Sequence, residues 1–330
     1  MNYKSENIIQ DIMNREDDLI DLTQALIKIP TLNPPGNNYL EICEFLKKRM
    51  ENNGFQSQLI RAYNTPGDSD KFPRWNLVCK REGGIQGKTV HFNGHTDVVE
   101  TGKGWSMNPF EAKYIDGLIY GRGACDMKGG IASSIIAVES FISLYPKYPG
   151  SIEFSFTADE ETGGYGGVAF LAKEGYFSPK KVNSVIIPEP LNKNRICLGH
   201  RGVWWAEIET FGRIAHGSMP FLGDSAIRHM GAVLNEFEEK LYPKLELIKT
   251  KMPVVPEGAK TSTMNINSIH GGEAEHPSEF NGYPAPVVAD SCKIIIDRRF
   301  LIEESIQTVK RDINDLLDDL QNSRENFKYK

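Results

Sequence analysis

Acidic and histidine side chains follow four apolar stretches of this chain, and together they could hold metal ions. The first is His95, with Asp97 two residues later, and the second is Asp126. The adjacent pair Glu160-Glu161 follows the next apolar stretch, and Glu189, between two prolines, follows the last. Imidazole and carboxylate groups are ligands that proteins offer to zinc and similar divalent ions. The pattern therefore predicts a binuclear divalent-metal site that activates water.

Each of these features also has an ordinary structural explanation when it is taken alone. A His-Asp pair can be a buried structural contact, Asp126 can cap the helix that follows it, and an acidic turn can simply face solvent. Glu160 and Glu161 are harder to explain in this way, because adjacent carboxylates repel each other unless a cation or a proton separates their roles. Four such places in succession favour a metal site over four independent explanations.

Composition limits the class of protein and its partners. A chain of 330 residues predicts two domains, and the net charge of -6 argues against nucleic acid or an anionic membrane as a partner. The five scattered cysteines contain no Cys-x-x-Cys pair, which predicts unpaired thiols in a reducing compartment. No secretory signal is visible and no apolar run approaches the length of a membrane span. We therefore expect a cytoplasmic protein that has no membrane partner.

Strands and helices alternate over the first 198 residues, which must position the candidate ligands. Amphipathic helices are predicted at 6–29, 38–53 and 128–144, and strands at 76–82, 89–99, 151–158 and 182–187. The alternation predicts an α/β catalytic domain over 1–198, with a mostly parallel sheet and helices on both faces. Ligands of such sheets gather at the carboxyl ends of the strands. Four residues fall just after an apolar run or its connecting turn, where this rule places them: His95, Asp126, Glu161 and Glu189.

Residues 199–330 predict a second domain, a ferredoxin-like α+β unit. Its predicted strands lie at 203–211, 262–270 and 288–300, and its predicted helices at 224–241 and 306–320. This order is a βαββαβ unit that stops before its last strand. Because the tail 322–330 is polar, we expect one sheet edge to lack its partner strand, and the chain to be truncated at its C-terminus.

Three motifs give the chain a resemblance to a known family of metal-dependent deacylases and exopeptidases. The motifs are Gly94-His95-Thr96-Asp97, Gly121-Arg122-Gly123 with Asp126-Met127-Lys128-Gly129-Gly130, and Asp159-Glu160-Glu161. The family includes succinyl-diaminopimelate desuccinylase, acetylornithine deacetylase, aminoacylase and glutamate carboxypeptidase. The resemblance extends from residues 29–36 to Asp297-Arg298-Arg299, which is nearly the whole chain.

The resemblance implies a ligand set for two metal ions. It implies that His95 and Glu189 hold one ion, that Asp126 bridges both ions, and that Glu161 binds the second. Zinc is the expected metal and cobalt is the alternative. The implied partner is a small N-acyl amino acid.

The resemblance also implies catalytic and substrate-binding roles. Glu160 would be the general base and Asp97 would orient His95. The second domain resembles the family's lid and dimerisation domain, which implies a homodimer. His216, in this lid, would stabilise the oxyanion of the tetrahedral intermediate, from the partner subunit. Arg299 would anchor a substrate carboxylate, because a guanidinium group binds carboxylates through two parallel hydrogen bonds.

The chain departs from the family pattern at two places. An asparagine that usually helps to bind substrate is replaced here by Pro286, within residues 284–288. The family also needs a histidine after the lid for its second metal, and none follows. None of the remaining histidines is a suitable substitute: His91, His200, His229, His270 and His276. We therefore expect a weakly held second metal, and the activity of the chain as given is an open question.

The expected function is hydrolysis of the amide bond of an N-acylated amino or diamino acid. Succinyl-diaminopimelate and acetylornithine lead the candidate substrates. The resemblance favours deacylation because Glu189 stands where aminopeptidase members tend to carry aspartate. Two alternatives stay open, a dipeptidase or carboxypeptidase of the same family, and a non-catalytic relative that binds a metal or an amino acid.

Overall fold

The protein is represented by a computed structural model that describes residues 3–192, 194–272 and 286–330. The chain divides into two compact units, Met1–Ile196 and Cys197–Lys330. This division falls two residues before the predicted domain boundary. The assignment of catalysis to one unit and of a lid to the other stays a prediction.

The first unit contains a five-stranded sheet in the order β1-β2-β6-β3-β7. Its strands are β1 (Gln56–Arg61), β2 (Trp75–Glu82), β3 (Gly84–His95), β6 (Tyr148–Thr157) and β7 (Ser184–Ile186), and a separate hairpin joins β4 (Lys113–Ile115) to β5 (Leu118–Tyr120). β3 runs parallel to β6 and β7, whereas β2 runs antiparallel to β1 and β6. Four of the five strands therefore share one direction, and the predicted mostly parallel sheet is confirmed.

Five α-helices lie in the part of this unit that the structure describes. They are α1 (Ser5–Met13), α2 (Glu16–Ile27), α3 (Tyr39–Asn52), α4 (Gly129–Leu144) and α5 (Val168–Lys173). The single helix predicted over 6–29 is in fact two helices, α1 and α2. The acidic residues Glu16, Asp17 and Asp18 favour a new start there, because they stand in the first turn of α2, at the positive end of its dipole. The fold class of the unit is α/β, as predicted.

The helix α4 is the centre of the first unit's core. Its residues Ile131, Ile135 and Ile136 pack in one apolar cluster with Ile42 and Leu46 of α3. The helical segment Ala124–Leu144 has the length and the mean hydropathy, 1.3, of a membrane-spanning helix. The expectation that no segment reaches that length is therefore wrong. Since 61% of its most apolar window is buried inside the protein, the composition of α4 also fits a core helix.

The second unit contains a four-stranded antiparallel sheet in the order β11-β8-β10-β9. Its elements are β8 (Gly202–Phe211), α6 (Ala226–Glu236), α7 (Tyr242–Leu247), β9 (Thr263–Gly271), β10 (Ser291–Phe300), α8 (Ile306–Ser323) and β11 (Lys328–Tyr329). Residues Val233 of α6, Ile294 of β10 and Ile313 of α8 belong to one core cluster, so the two helices pack on the sheet. The predicted α+β character of this unit is confirmed.

The expectation that this sheet lacks its last strand is wrong. The strand β11 pairs antiparallel with Phe211 and Thr210 of β8. Glu209 and Lys330 also exchange two backbone hydrogen bonds of 2.9 Å. Phe327 is buried in the core just before this strand. Two residues are too few to show the alternating pattern by which a strand is recognised in a sequence, which explains the error.

We expect the substitution Phe327→Ala to lower the free energy of unfolding of the second unit by about 3–5 kcal/mol, because it leaves a cavity in the core. The matched control is Phe221→Ala, since the Phe221 side chain is 77% exposed. Thermal unfolding monitored by circular dichroism measures both variants. Equal changes in the unfolding temperatures of the two variants would contradict the inference that the buried Phe327 side chain stabilises the second unit.

Candidate metal centre

Three adjacent parallel strands end at the candidate site. His95 is the last residue of β3 and pairs with Thr157, the last residue of β6. Glu160 and Glu161 follow β6 in a short helical turn, Glu160–Thr162, and Glu189 follows β7. The edge where parallel strands end is the usual ligand-binding edge of such a sheet. The chain direction of β6, β3 and β7 therefore brings the predicted ligands to one side of the molecule.

Asp126 reaches the site from the segment that leads into α4. The peptide bond between Asp126 and Met127 is cis, and the backbone N–H of His95 lies 3.2 Å from the sulfur of Met127. Further along, a Cβ atom on Gly130 would lie 2.2 Å from the carbonyl oxygen of Pro188. The absence of a side chain on Gly130 therefore lets the backbone next to Glu189 approach α4 closely.

The acidic groups converge on His95. Its Nε2 lies 2.9 Å from Oδ1 of Asp126, 3.7 Å from Oε1 of Glu189 and 4.0 Å from Oε2 of Glu160. Ligand atoms of His95, Asp126 and Glu189 all lie within 4.8 Å of one another. Three of the four predicted metal ligands thus form one compact group. Glu161 does not belong to this three-residue group, although the charge of Asp126 acts on it.

The tautomer of His95 suits a metal ligand. Its Nδ1 lies 3.0 Å from the backbone oxygen of Asp97, which can only accept a hydrogen bond. In the neutral ring the hydrogen therefore resides on Nδ1, and Nε2, which faces Asp126, is left with its lone pair. An imidazole nitrogen beside two carboxylates is a donor set that divalent metals accept.

The carboxyl groups are crowded when no cation is bound. Burial and then the charge of Asp126 raise the pKa of Glu161 to about 7. Burial, opposed by His95, likewise raises the pKa of Glu189 to about 7. Burial alone would lower the pKa of His95, but its contacts with Asp126 and Asp97 outweigh burial and raise that pKa to about 11. A bound cation would relieve the repulsion between these acids, so the group fits a divalent metal.

Asp97 contacts more of the site than the sequence predicts. Its carboxylate is fully buried and accepts the backbone N–H groups of Glu160 and Glu161, each at 3.2 Å. It also accepts a hydrogen bond of 2.9 Å from the amide of Asn33, and lies 3.5 Å from Nδ1 of His95. Asp97 thus connects the strand end that carries His95 to the turn that carries both glutamates.

The sequence does not predict the polar residues that hold the chain just before and after this turn. Asn76 accepts the N–H of Ala158 at 3.0 Å and donates to the carbonyl of Gly166 at 2.8 Å. Arg74 forms an ion pair of 3.0 Å with Asp159. The one available signal was a polar asparagine in the apolar strand β2, because such a residue needs a partner when it is buried.

The remaining predicted site residues belong to the second unit. Nδ1 of His216 accepts the backbone N–H of Ser218 at 3.2 Å, so the hydrogen of its neutral ring resides on Nε2. Arg299 forms an ion pair with Asp297 through two contacts of 2.6 and 2.8 Å. The carbonyl of Pro286 accepts the N–H of Gly217, next to His216. The substrate-binding roles of these residues stay predictions.

Parts of the predicted pattern lie outside the described residues. These parts are Pro284, Ala285 and His276. Among residues 3–192, 194–272 and 286–330, no histidine other than His95 belongs to the candidate metal group.

We expect Asp97→Asn to weaken zinc binding about 10–100-fold, because an asparagine offers only one oxygen to the two N–H groups of the glutamate turn. A competition titration with a chelating dye measures the affinity. Asp224→Asn is the control, since Asp224 pairs with His229 at 2.9 Å in the other unit. Equal zinc affinities for Asp97→Asn and the unmodified protein would contradict the role of Asp97.

Comparison with known proteins agrees with this geometry. Residues 91–303 match the model of peptidase family M20/M25/M40. The chain is 28% identical over 309 residues to the succinyl-diaminopimelate desuccinylase of Polynucleobacter necessarius subsp. necessarius (strain STIR1), which covers 91% of this chain and 73% of that protein.

Two solved structures share the fold. The di-peptidase Dug1p of Saccharomyces cerevisiae has a TM-score of 0.75 at 16% identity, covering 100% of this chain and 79% of that one. The YXEP protein of Bacillus subtilis, described as a dinuclear metal binding peptidase, has a TM-score of 0.55 at 14% identity, covering 98% and 76%. The resemblance predicted from the motifs is confirmed: the chain belongs to peptidase family M20/M25/M40, a family of metallohydrolases.

Proposed function

We propose that this protein removes the acyl group from an N-acylated amino or diamino acid by hydrolysis of the amide bond. The observation that carries the proposal is the convergence of His95, Asp126 and Glu189 within 4.8 Å, with Glu160 beside them. The similarity to a desuccinylase supports deacylation and makes succinyl-diaminopimelate the first substrate to test, with acetylornithine second.

We infer that two divalent metal ions bind here, with zinc expected and cobalt as the alternative. His95 and Glu189 would hold one ion, Asp126 would bridge both, and Glu161 would hold the second. The crowding of these acids supports a bound cation, and the similar YXEP protein is described as dinuclear. When bound, such ions lower the pKa of water and polarise a carbonyl group.

In this proposal Glu160 moves the proton. Its side chain is about half exposed, so a substrate can reach it, while its backbone N–H is held by Asp97. The carboxylate would accept a proton from the attacking water and deliver it to the leaving amine. Its Oε2 lies 4.0 Å from Nε2 of His95, beside the three-residue ligand group.

Two residues of the second unit complete the proposal. His216 would donate a hydrogen bond from Nε2–H to the oxyanion, and the position of the hydrogen in its neutral ring supports this role. We propose that it acts from the partner subunit of a homodimer. Arg299 would bind a substrate carboxylate, in competition with Asp297, its present partner. We further propose that the protein acts in the cytoplasm.

A dipeptidase is the second candidate function, because the di-peptidase Dug1p has the same fold. The two functions differ in the substrate's amino group, which is acylated in one case and free in the other. Hydrolysis of a dipeptide with a free N-terminus, faster than that of succinyl-diaminopimelate, would favour the dipeptidase. If the zinc-loaded protein hydrolyses neither, the non-catalytic alternative is favoured.

We expect Glu160→Gln to lower kcat by about 10²–10⁴-fold while sparing zinc binding, because the amide cannot accept the proton. Steady-state hydrolysis of succinyl-diaminopimelate and zinc content by elemental analysis measure the two effects. Glu189→Gln is the matched control, because it should lose zinc as well as activity. Unchanged turnover in Glu160→Gln would show that the base is misassigned.

We expect His216→Ala to lower kcat by about 10²–10³-fold, the range for loss of one oxyanion donor, with zinc content unchanged. Hydrolysis of succinyl-diaminopimelate measures kcat, and elemental analysis measures the zinc content. A parallel loss of zinc and of turnover would refute the oxyanion role.

A further inference from the structure

An ion pair supports the glutamate turn from its buried side without touching the proposed metal ligands. Asp159, the residue before Glu160, has a φ of +62° and is almost fully buried. Nε of Arg74 lies 3.0 Å from Oδ1 of Asp159, and Arg74 is itself 4% exposed. The hydroxyl of Tyr39 donates to the same carboxylate and accepts the N–H of Asp159, both at 3.1 Å. The side chain and the backbone of Asp159 are thus both fixed.

The guanidinium of Arg74 joins this turn to a second part of the site. Its Nη1 donates to the carbonyl oxygen of Pro35 at 2.6 Å and to that of Phe72 at 2.9 Å. Pro35 lies two residues after Asn33, whose amide holds the carboxylate of Asp97. One guanidinium therefore bonds both to the residue before Glu160 and to the loop that holds Asp97.

Three glycines from separate segments leave room for this ion pair. A Cβ atom on Gly36 would lie 2.2 Å from Nη1 of Arg74, and one on Gly67 would lie 2.3 Å from its Nη2. A Cβ atom on Gly166 would lie 2.4 Å from Oδ2 of Asp159. The surroundings are therefore shaped around the planar, forked guanidinium, a shape that a lysine ammonium cannot reproduce.

We propose that Arg74 is a positioning residue, which sets the place of Glu160 and Glu161 relative to His95 through Asp159. The proposal rests on the proposed function, in which these two glutamates act as base and ligand. Because Arg74 contacts no ligand atom, its effect passes through the backbone of the turn. Misplacement of reacting groups by about 1 Å can cost about 10²-fold in rate.

The test is the substitution Arg74→Lys, which keeps the charge and removes the fork. We expect kcat to fall about 10²-fold with a much smaller change in KM. We also expect the visible absorption spectrum of the cobalt-loaded protein to change, because the position of Glu161 has changed. Tyr39→Phe, which removes the two hydrogen bonds between the Tyr39 hydroxyl and Asp159 but leaves the ion pair with Arg74, should shift kcat and the spectrum in the same direction by less.

Arg49→Lys is the matched control, because Arg49 also forms an ion pair with a buried carboxylate in the same unit. Its Nε and Nη2 lie 2.9 and 2.8 Å from the buried Glu139, away from the site. Thermal unfolding records the loss of stability in each variant. A lower kcat and an altered cobalt spectrum in Arg74→Lys but not in Arg49→Lys would support the positioning role.

Two results would overturn the inference. One is that Arg74→Lys and Arg49→Lys lose similar stability while both keep the kcat and the cobalt spectrum of the unmodified protein. The other applies if Arg74→Lys does not fold. In that case the inference is overturned when Tyr39→Phe keeps the kcat and the cobalt spectrum of the unmodified protein. Absence of hydrolysis by the unmodified protein would refute the proposed function instead, and the cobalt spectra would still decide whether Arg74 positions the turn.

Discussion

The candidate site depends on the close approach of several carboxylates to one buried histidine. Asp126, Glu160 and Glu189 lie within 4.0 Å of Nε2 of His95, and burial penalises each charge that lacks a partner. The edge where three parallel strands end brings His95, Glu160 and Glu189 together, and Asp126 joins them from the segment that leads into α4. The imidazole of His95 offsets part of this charge, so the arrangement favours a further cation and a backbone stiff enough to resist the repulsion.

The stiffness comes from hydrogen bonds that do not involve the proposed ligand atoms. Asp97 accepts three N–H donors from two different segments, and one oxygen of Asp159 contacts both Arg74 and Tyr39. Hydrogen bonds to an ionised group are shorter and stronger than neutral ones, so these contacts resist displacement of the turn. The turn that carries Glu160 and Glu161 is therefore held by Asp97, which accepts its N–H groups, and by Asp159, the residue before it.

The sequence predicts the ligands better than it predicts their supports. His95 and Glu189 are recognisable because each is a polar residue directly after an apolar strand, and the alternation of elements predicts the sheet. Arg74 and Asp159 are 85 residues apart, and Tyr39 and Asp159 are 120 apart. No local pattern records such contacts. The residues Asp297 and Arg299, by contrast, are two apart on one strand, and the period of two places both side chains on the same face.

The acidic residues at the site fall into two groups, according to whether donors within the protein contact their carboxylates. Asp97 and Asp159 find their donors inside the protein, and these contacts tie distant segments together. Burial and neighbouring acids raise the pKa values of Glu161 and Glu189 to about 7, whereas burial also raises the pKa of Asp159 but is opposed there by Arg74 and Tyr39. Asp97 and Asp159 therefore fix the backbone around the site, and Glu161 and Glu189 are left to bind a cation from solution. That division, rather than the number of acids, is the structural argument for a bound cation.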